Sequence, residues 1–485
     1  MRRAKILATL GPASNNKETI VRLIQAGMNA IRINRSHGTQ EEHTATIRIA
    51  REAAGELGEP LAILVDLCGP KIRTGKLDAA SALLIRDEHF TITSRDIIGD
   101  ATQVSTNYKD LPKAVRAGEI ILLDDGALSL QVEEVTDIDV ICRVIEGGFL
   151  FDHKGINLPH THLPIPSLTK KDREDLEWAM SQNADYIALS FVRTAQDCIE
   201  AKELIKELND KFKLREHGRA LLVAKIEKAE AIENLDEIIQ ATDGVMVARG
   251  DLGVETSVEM VPVYQKMIIQ KSVANDRFVI TATQMLQSMI EHSHPTRAEA
   301  SDIANAVWDG TDAVMLSAET ASGKYPVESV ATMAGIIGSA ETIKPKFLKK
   351  PVKFTQDPTG RTSQALCVAA AYAAKEKGTE KVAVFTESGL MARRLSSFRS
   401  GLNTFAITTS DDACRQLALI WGVRPLFHKS AESTEQMLKA GEAVLLEAGV
   451  VEAHETIIMM AGRLSGLGLS SSVVMWTIGE NVPRK

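Results

Sequence analysis

The chain has 485 residues, 44% of them hydrophobic and only 4% aromatic, and its 56 Lys and Arg stand against 64 Asp and Glu for a formal net charge of −8. At about 100–200 residues per domain, that length predicts two to four domains with ordinary globular cores. The acidic balance excludes a protein that tracks nucleic-acid phosphates with a basic face, and leaves room for a local basic pocket around a small anion.

The five cysteines, Cys68, Cys142, Cys198, Cys367 and Cys414, are odd in number and form no C-x-x-C pair. A disulfide framework or zinc site is therefore not expected, and a reducing cytoplasm is. The opening MRRAKILATLGPAS breaks at Gly11-Pro12, too early for a secretion signal. No uninterrupted apolar stretch of about 18 residues occurs, so no membrane partner is expected.

Taken in chain order, AKILATL (4–10), AIRINRS (30–36) and LAILVDL (61–67) predict three strands, the first two followed by amphipathic helical stretches. The rhythm then breaks. Residues 71–167 hold short alternating segments (HFTIT, EIILLDD, LSLQVEEV, DVICRVIEGG) with little helix, which predicts a small all-β insertion. Alternation resumes with the helical KKDREDLEWAMSQNA and the strands DYIALSF (185–191), ALLVAKIE (220–227), GVMVARG (244–250), FVITAT (278–283) and AVMLSAE (313–319). Eight strand–helix repeats predict an α/β fold of the (β/α)₈ TIM barrel type, with an open doubly wound sheet as the competing architecture. KPKFLKKPVKFTQDPTG then predicts a linker, and KVAVFT, NTFAIT, ETIIMMA and SSVVMWTI predict the strands of a separate α/β unit. The expected division is 1–70 and 168–345 for the barrel, 71–167 for the insertion and 346–485 for the C-terminal domain.

Chemistry in a barrel collects at the C-terminal strand ends, and residues i and i+2 of a strand share a face. By that parity Arg32, Asn34 and Ser36 belong together, as do Lys225 with Glu227, Thr281 with Thr283, and Ser317 with Glu319. Asp66 closes the third strand, and Arg249-Gly250-Asp251 follows the sixth. If these faces point inward, Arg32, Arg73, Lys225, Glu227, Asp251 and Glu319 meet at one mouth. Each has a bland alternative: Lys225 with Glu227 as a structural ion pair, Asp251 as a helix cap, Ser36, His37 and Ser317 as turn residues, Thr283 as a good strand former. Arg32 and Asn34 interrupt an apolar run, and burying them unpaired would cost a few kcal/mol each. Their joint position favours a site for an anionic, phosphorylated substrate. Glu227 and Asp251 can hold Mg²⁺ and leave its other positions to substrate and water. Arg32, Arg73 and Lys225 can neutralise a moving phosphoryl group. Neither a G-x-x-x-x-G-K-[ST] loop nor the protein-kinase set occurs.

RINRSHG (32–38), GPKIRTG (69–75), AKIEKAEAIENLDEII, VMVARGDLGVE, TATQMLQSM and PTRAEASDIANAVWDGTDAVMLSAETASGKYP, in that order over nearly the whole chain, resemble the pyruvate kinase family. The resemblance implies phosphoryl transfer from phosphoenolpyruvate to ADP, giving pyruvate and ATP in the last step of glycolysis. It implies Lys225 beside the transferring phosphoryl group, Glu227 and Asp251 on Mg²⁺ (or Mn²⁺), and Gly250, Asp251 and Thr283 at the substrate carboxylate. Arg32 and Arg73 fall at the phosphates, and Asn34, His37 and Lys154 on the nucleotide side. Thr283, or a water chain reaching Ser317 and Glu319, falls at enolate protonation. The insertion resembles the family's lid, with DDGALSL (124–130) in it. Asn34, Ser36, Asp66 and the Leu67 carbonyl match the family's K⁺ site, but Lys71 stands where many members carry glutamate. That departure implies a K⁺-independent enzyme, the ammonium supplying the monovalent charge near Asn34, Ser36 and Asp66. FTESGL (385–390) resembles a phosphate-binding effector loop through Thr386, Ser388 and Gly389, with Arg463 reaching a second phosphate. A sugar phosphate and AMP remain open as effectors, and a homotetramer is implied. The rival readings are a Mg²⁺-dependent lyase or aldolase barrel and a non-catalytic metabolite sensor.

Overall fold

The computed structural model describes residues 1–159, 161, 163, 165–214, 219–343, 358–428, 434–461 and 472–480. Eight strands carry the architecture: β1 (Lys5–Thr9), β2 (Ala30–Asn34), β3 (Ala62–Asp66), β4 (Tyr186–Leu189), β5 (Leu221–Ile226), β6 (Gly244–Ala248), β7 (Phe278–Ala282) and β8 (Ala313–Leu316). All pair in parallel with their sequence neighbours, and β1 also pairs with β8, with Lys5 opposite Ala313 and Leu7 opposite Met315. That last pairing closes the barrel and rules out the open sheet. The runs are aliphatic on both faces because both are buried. Ile33, Val65, Ile226, Val247, Val279 and Val314 pack outward against helices. Leu64, Tyr186, Val223, Met246, Phe278 and Ile280 fill the interior, so truncating one of them would cost about 2–5 kcal/mol. Thr39, Thr169 and Thr296 start three of the surrounding helices with reciprocal capping boxes to Glu42, Asp172 and Glu299.

The insertion folds between β3 and β4 as a six-stranded sheet and a two-stranded one, with its own core around Phe90, Ile92, Leu130 and Val144. The anticipated segments are strands at His89–Thr93, Ile120–Leu123, Leu128–Val135 and Asp139–Glu146. Shorter strands at Ser81–Leu84, Gln103–Ser105, Gly148–Phe151 and Ile156–Asn157 were not legible beforehand. Its incoming and returning segments pair at Arg73 and Gly155. Gly69, at the junction with the barrel, has φ +68, and a Cβ there would lie 2.7 Å from the Phe191 ring. A side chain fits neither the backbone nor the space.

Among the described residues the C-terminal α/β unit has five strands, one more than the sequence suggested: Val423–Phe427 lies at one edge beside Asn403–Thr408. Its Arg424 and Pro425 hide the apolar pattern. This domain packs under the N-terminal strand ends. Arg399 donates to Asp312 at 2.7 Å, Arg415 to Asp185 at 3.0 Å, and Lys5 Nζ to the Val423 carbonyl at 2.7 Å. The opposite end of the barrel is left to the insertion. Among the described residues no helix is long and apolar enough to cross a membrane.

Candidate active site

The inward faces of β1 to β5 converge at the C-terminal end of the barrel. Arg32 Nε donates to Asp66 Oδ2 at 2.7 Å and its Nη1 to Thr9 Oγ1 at 3.1 Å. Lys225 Nζ lies 3.3 Å from Asp66 Oδ1 and 2.8 Å from Glu227 Oε1. It also donates to Ser190 Oγ at 2.8 Å, and that hydroxyl donates to the Leu67 carbonyl at 2.7 Å. The Phe191 amide donates to Glu227 Oε2 at 2.7 Å. Asp66 and Glu227 are each 1% exposed, so these charges interact through little water.

The titration directions follow. Burial pulls the Lys225 ammonium down, but Asp66 and Glu227 outweigh it and hold the group above its ordinary value. Burial pushes Asp66 up, yet Lys225 and Arg32 bring it below the usual carboxylate range. Glu227 goes the other way: burial raises it, Lys225 opposes, and the Asp251 charge raises it again. Two carboxylates that repel each other beside a shared lysine fit a divalent cation, whose charge relieves that repulsion. Among the described residues no group of three or more His, Cys, Asp or Glu is arranged as a metal cage. A two-carboxylate site suits Mg²⁺, which keeps waters and substrate oxygens.

Asp251 lies in the helix Arg249–Glu255 that follows β6. The Gly250 amide donates to Thr283 Oγ1 at 2.9 Å. Arg249, one residue earlier, donates to the Thr283 carbonyl at 2.6 Å and to Asp302 at 2.7 Å. It thereby holds Thr283 and Gln284, whose φ values are +71 and +54. The expected shared face of Thr281 and Thr283 is corrected here. Thr281 points outward to Thr311 Oγ1 at 3.0 Å, and Thr283 lies beyond the last strand residue, where alternation no longer applies. Ser317 and Glu319 part for the same reason. Glu319 is in the helix Ala318–Ala321 and accepts from the Leu286 and Ser317 amides at 3.1 and 2.7 Å. It ties two loops together and does not join the Lys225 cluster. Ser317 Oγ is buried without a hydrogen-bond partner among the described residues.

On the insertion side, Arg73 Nη1 donates to the His153 carbonyl at 3.0 Å, and Lys154 Nζ pairs with Asp124 at 2.8 Å. His37 is held below its ordinary value by burial and by the charges of Arg73, Arg32 and Lys71, which marks that side as a cationic pocket. Asn34 Oδ1 accepts from the Ser36 amide at 3.1 Å. Lys71 corrects the expectation that its ammonium joins Asn34, Ser36 and Asp66: its ion-pair partners are Asp251 at 3.5 Å and Asp125, on the insertion, at 3.8 Å. Arg35, inside the RINRSHG motif, faces outward and is structural, bonded to Asp175 at 2.7 Å and stacked 4.5 Å from the Trp178 ring.

Sequence reasoning missed Thr9, Ser190 and Phe191. Ser190 was findable, since it continues the inward parity of Tyr186 and Ala188. Phe191, at φ +55, had no such signal. In the C-terminal domain Thr386 Oγ1 accepts from the Gly389 amide at 3.0 Å, Ser388 accepts from Arg393 through its carbonyl, and Gly389, φ +74, begins the helix Leu390–Ser397. Arg463 lies outside the described residues.

A closed barrel with a buried lysine between two acids at its mouth, a β domain inserted over that mouth and an α/β domain at the other end define a multidomain barrel enzyme for a phosphorylated, anionic substrate. Residues 1–330 match the pyruvate kinase barrel domain and residues 364–474 the pyruvate kinase alpha/beta domain. The pyruvate kinase of Clostridium acetobutylicum is 39% identical over 95% of this chain and 96% of its own. Pyruvate kinase 2 of Synechocystis sp. is 44% identical over 98% of this chain and 78% of its own. The crystal structure of a pyruvate kinase from Cryptosporidium parvum superposes with a TM-score of 0.88 at 34% identity, covering 98% and 96% of the two chains. The chain belongs to the pyruvate kinase family. It transfers the phosphoryl group of phosphoenolpyruvate to ADP, forming pyruvate and ATP.

Proposed function

We propose that this transfer runs at the Lys225 cluster, with Mg²⁺ as cofactor and without a requirement for K⁺. The observation that carries the reading is the Lys225 ammonium, shared by Asp66 and Glu227 at 3.3 and 2.8 Å in a buried pocket. The P–O bond to the enolate oxygen breaks and a P–O bond to the terminal phosphate of ADP forms, so negative charge shifts from one oxygen set to the other. Lys225 and Arg32 stand where that charge passes, fixed in advance by Asp66, so little reorganisation is needed. Glu227 and Asp251 would hold Mg²⁺ (Mn²⁺ being the alternative), and the ion, when bound, supplies further positive charge to substrate oxygens. Thr283, braced by Arg249, and the Gly250–Asp251 backbone orient the substrate carboxylate. Arg73, Lys154, Asn34 and His37 take the nucleotide, and the insertion excludes water over it. The enolate then takes a proton at carbon from Thr283 or from water reaching Ser317 and Glu319.

Lys71 supports K⁺ independence by bringing a monovalent cation to Asp251 itself. The C-terminal loop at Thr386, Ser388 and Gly389, with Arg463, is the site for a phosphorylated effector, a sugar phosphate or AMP, in a homotetramer. Five free cysteines support a cytoplasmic setting.

The test is pyruvate formation from phosphoenolpyruvate, ADP and Mg²⁺ in buffer free of Na⁺ and K⁺, then with K⁺ added. Full activity without K⁺ is expected. Activity only with K⁺ overturns the role of Lys71, and a third arm without a divalent ion, in which no turnover is expected, checks the metal requirement.

A further inference from the structure

Glu255 ends the helix that carries Asp251 and is 3% exposed. Its Oε1 accepts from two directions. Asn157 Nδ2, on the insertion, donates at 2.8 Å, and Lys228 Nζ, in the turn after β5, donates at 2.7 Å. Asn157 itself is 4% exposed and paired in register with Leu122, in the hairpin whose tip holds Asp124 and Asp125. Lys228 follows Glu227 by one residue and lies 5.9 Å from the Phe191 ring, whose amide holds Glu227. One carboxylate oxygen thus joins the insertion's sheet, the turn bearing Glu227 and the helix bearing Asp251.

A cavity of about 260 Å³ opens between Ile156 and Leu158 of the insertion and Phe191, Lys228 and Glu233 of the barrel, and beside it Arg193 donates to the Leu163 and Ile165 carbonyls. Interiors packed at ordinary density resist displacement, and an open seam of this size does not. Charged hydrogen bonds are about twice as strong as neutral ones, so the polar hub ties the insertion's sheet to the barrel, as Arg193 ties its returning segment. The partners of Glu255 lie 27 and 98 residues away in sequence.

We propose that Glu255 is a positioning residue for the reaction, one that seats the inserted domain over the mouth without touching substrate. The inference rests on the reading of that mouth as the phosphoryl-transfer site. Because Lys154 and Arg73 ride on the insertion, loss of the tie weakens the nucleotide side first.

The experiment compares Asn157→Ala, Glu255→Gln and the double variant by steady-state kinetics, melting temperature and amide hydrogen exchange of residues 120–128 in the free enzyme. Asn157→Ala is expected to raise KM for ADP about tenfold, the effect of one lost hydrogen bond to a charged group, and Glu255→Gln, which keeps an acceptor oxygen but loses the charge, about threefold. KM for phosphoenolpyruvate should change less than about threefold. Exchange in the hairpin should quicken, and the double variant should match the worse single one, as for residues acting through one contact. Unchanged KM for ADP with slow exchange, or additive effects that scale both KM values together, would overturn the proposal. Should Glu255→Gln not fold, Asn157→Ala reports the same tie from the insertion. If the wild type turns over neither substrate, the site reading fails while hydrogen exchange still decides the tie.

Discussion

Replacing Lys225 with Met keeps the aliphatic stem and removes the ammonium from a place where three partners depend on it. Glu227 loses its nearest cation at 2.8 Å, Asp66 keeps Arg32 at 2.7 Å but loses its second cation at 3.3 Å, and Ser190 loses its donor at 2.8 Å. Removing one preorganised donor from a transition-state oxyanion costs about 3–4 kcal/mol. A full charge in this buried pocket should cost at least that, so kcat is expected to fall about 10³-fold with phosphoenolpyruvate, ADP and Mg²⁺. Leaving the buried Glu227 carboxylate without its cation also costs about 3–5 kcal/mol of stability near pH 7. The sign of its pH dependence is fixed. Without Lys225 the already raised Glu227 titrates higher still, above its unfolded value, so the folded state binds more protons and the variant regains stability as pH falls toward about 5. Binding of Mn²⁺ without substrate, followed by electron paramagnetic resonance, should tighten by about tenfold, because the competing cation is gone. A folded Lys225→Met enzyme that keeps more than about a tenth of wild-type kcat, or binds Mn²⁺ more weakly, would refute the reasoning.

Burial of Lys5, 6% exposed under the barrel, lowers its ammonium to about 7 beside Arg2, Glu341, Arg424 and Glu59. The unfolded chain then binds more protons between about pH 7 and 10, so stability should rise across that window by a few kcal/mol, and Lys5→Met should flatten the rise in melting temperature against pH. Gly69→Ala places a Cβ at φ +68, 2.7 Å from Phe191 and 2.9 Å from Ser190. It should cost about 1–3 kcal/mol in urea unfolding and lower kcat by shifting the contacts of Glu227 and Lys225. Arg249→Met frees the left-handed turn at Thr283 and should raise KM for phosphoenolpyruvate about tenfold, with KM for ADP little changed.

Much of this architecture was written locally. Aliphatic runs of strand length separated by amphipathic helices announce eight barrel strands, because a strand buried on both faces must be apolar throughout. Parity within a strand also placed Arg32 beside Asn34 and Lys225 beside Glu227, since alternation of faces needs no knowledge of the rest of the chain. It failed beyond two strand ends, at Thr283 one residue past β7 and at Glu319 three residues past β8, where the backbone turns. The barrel's closure depends on β1 finding β8 some 300 residues away, and the strand runs alone left an open sheet as the competing architecture. The partners of Lys71 and Glu255 depend on how an inserted domain folds back over the barrel. A charged side chain's type announces that it needs a partner. Which partner meets it is settled by the packing of distant segments, and so Asp251, Asp125 and Asn157 could be named only from the tertiary structure.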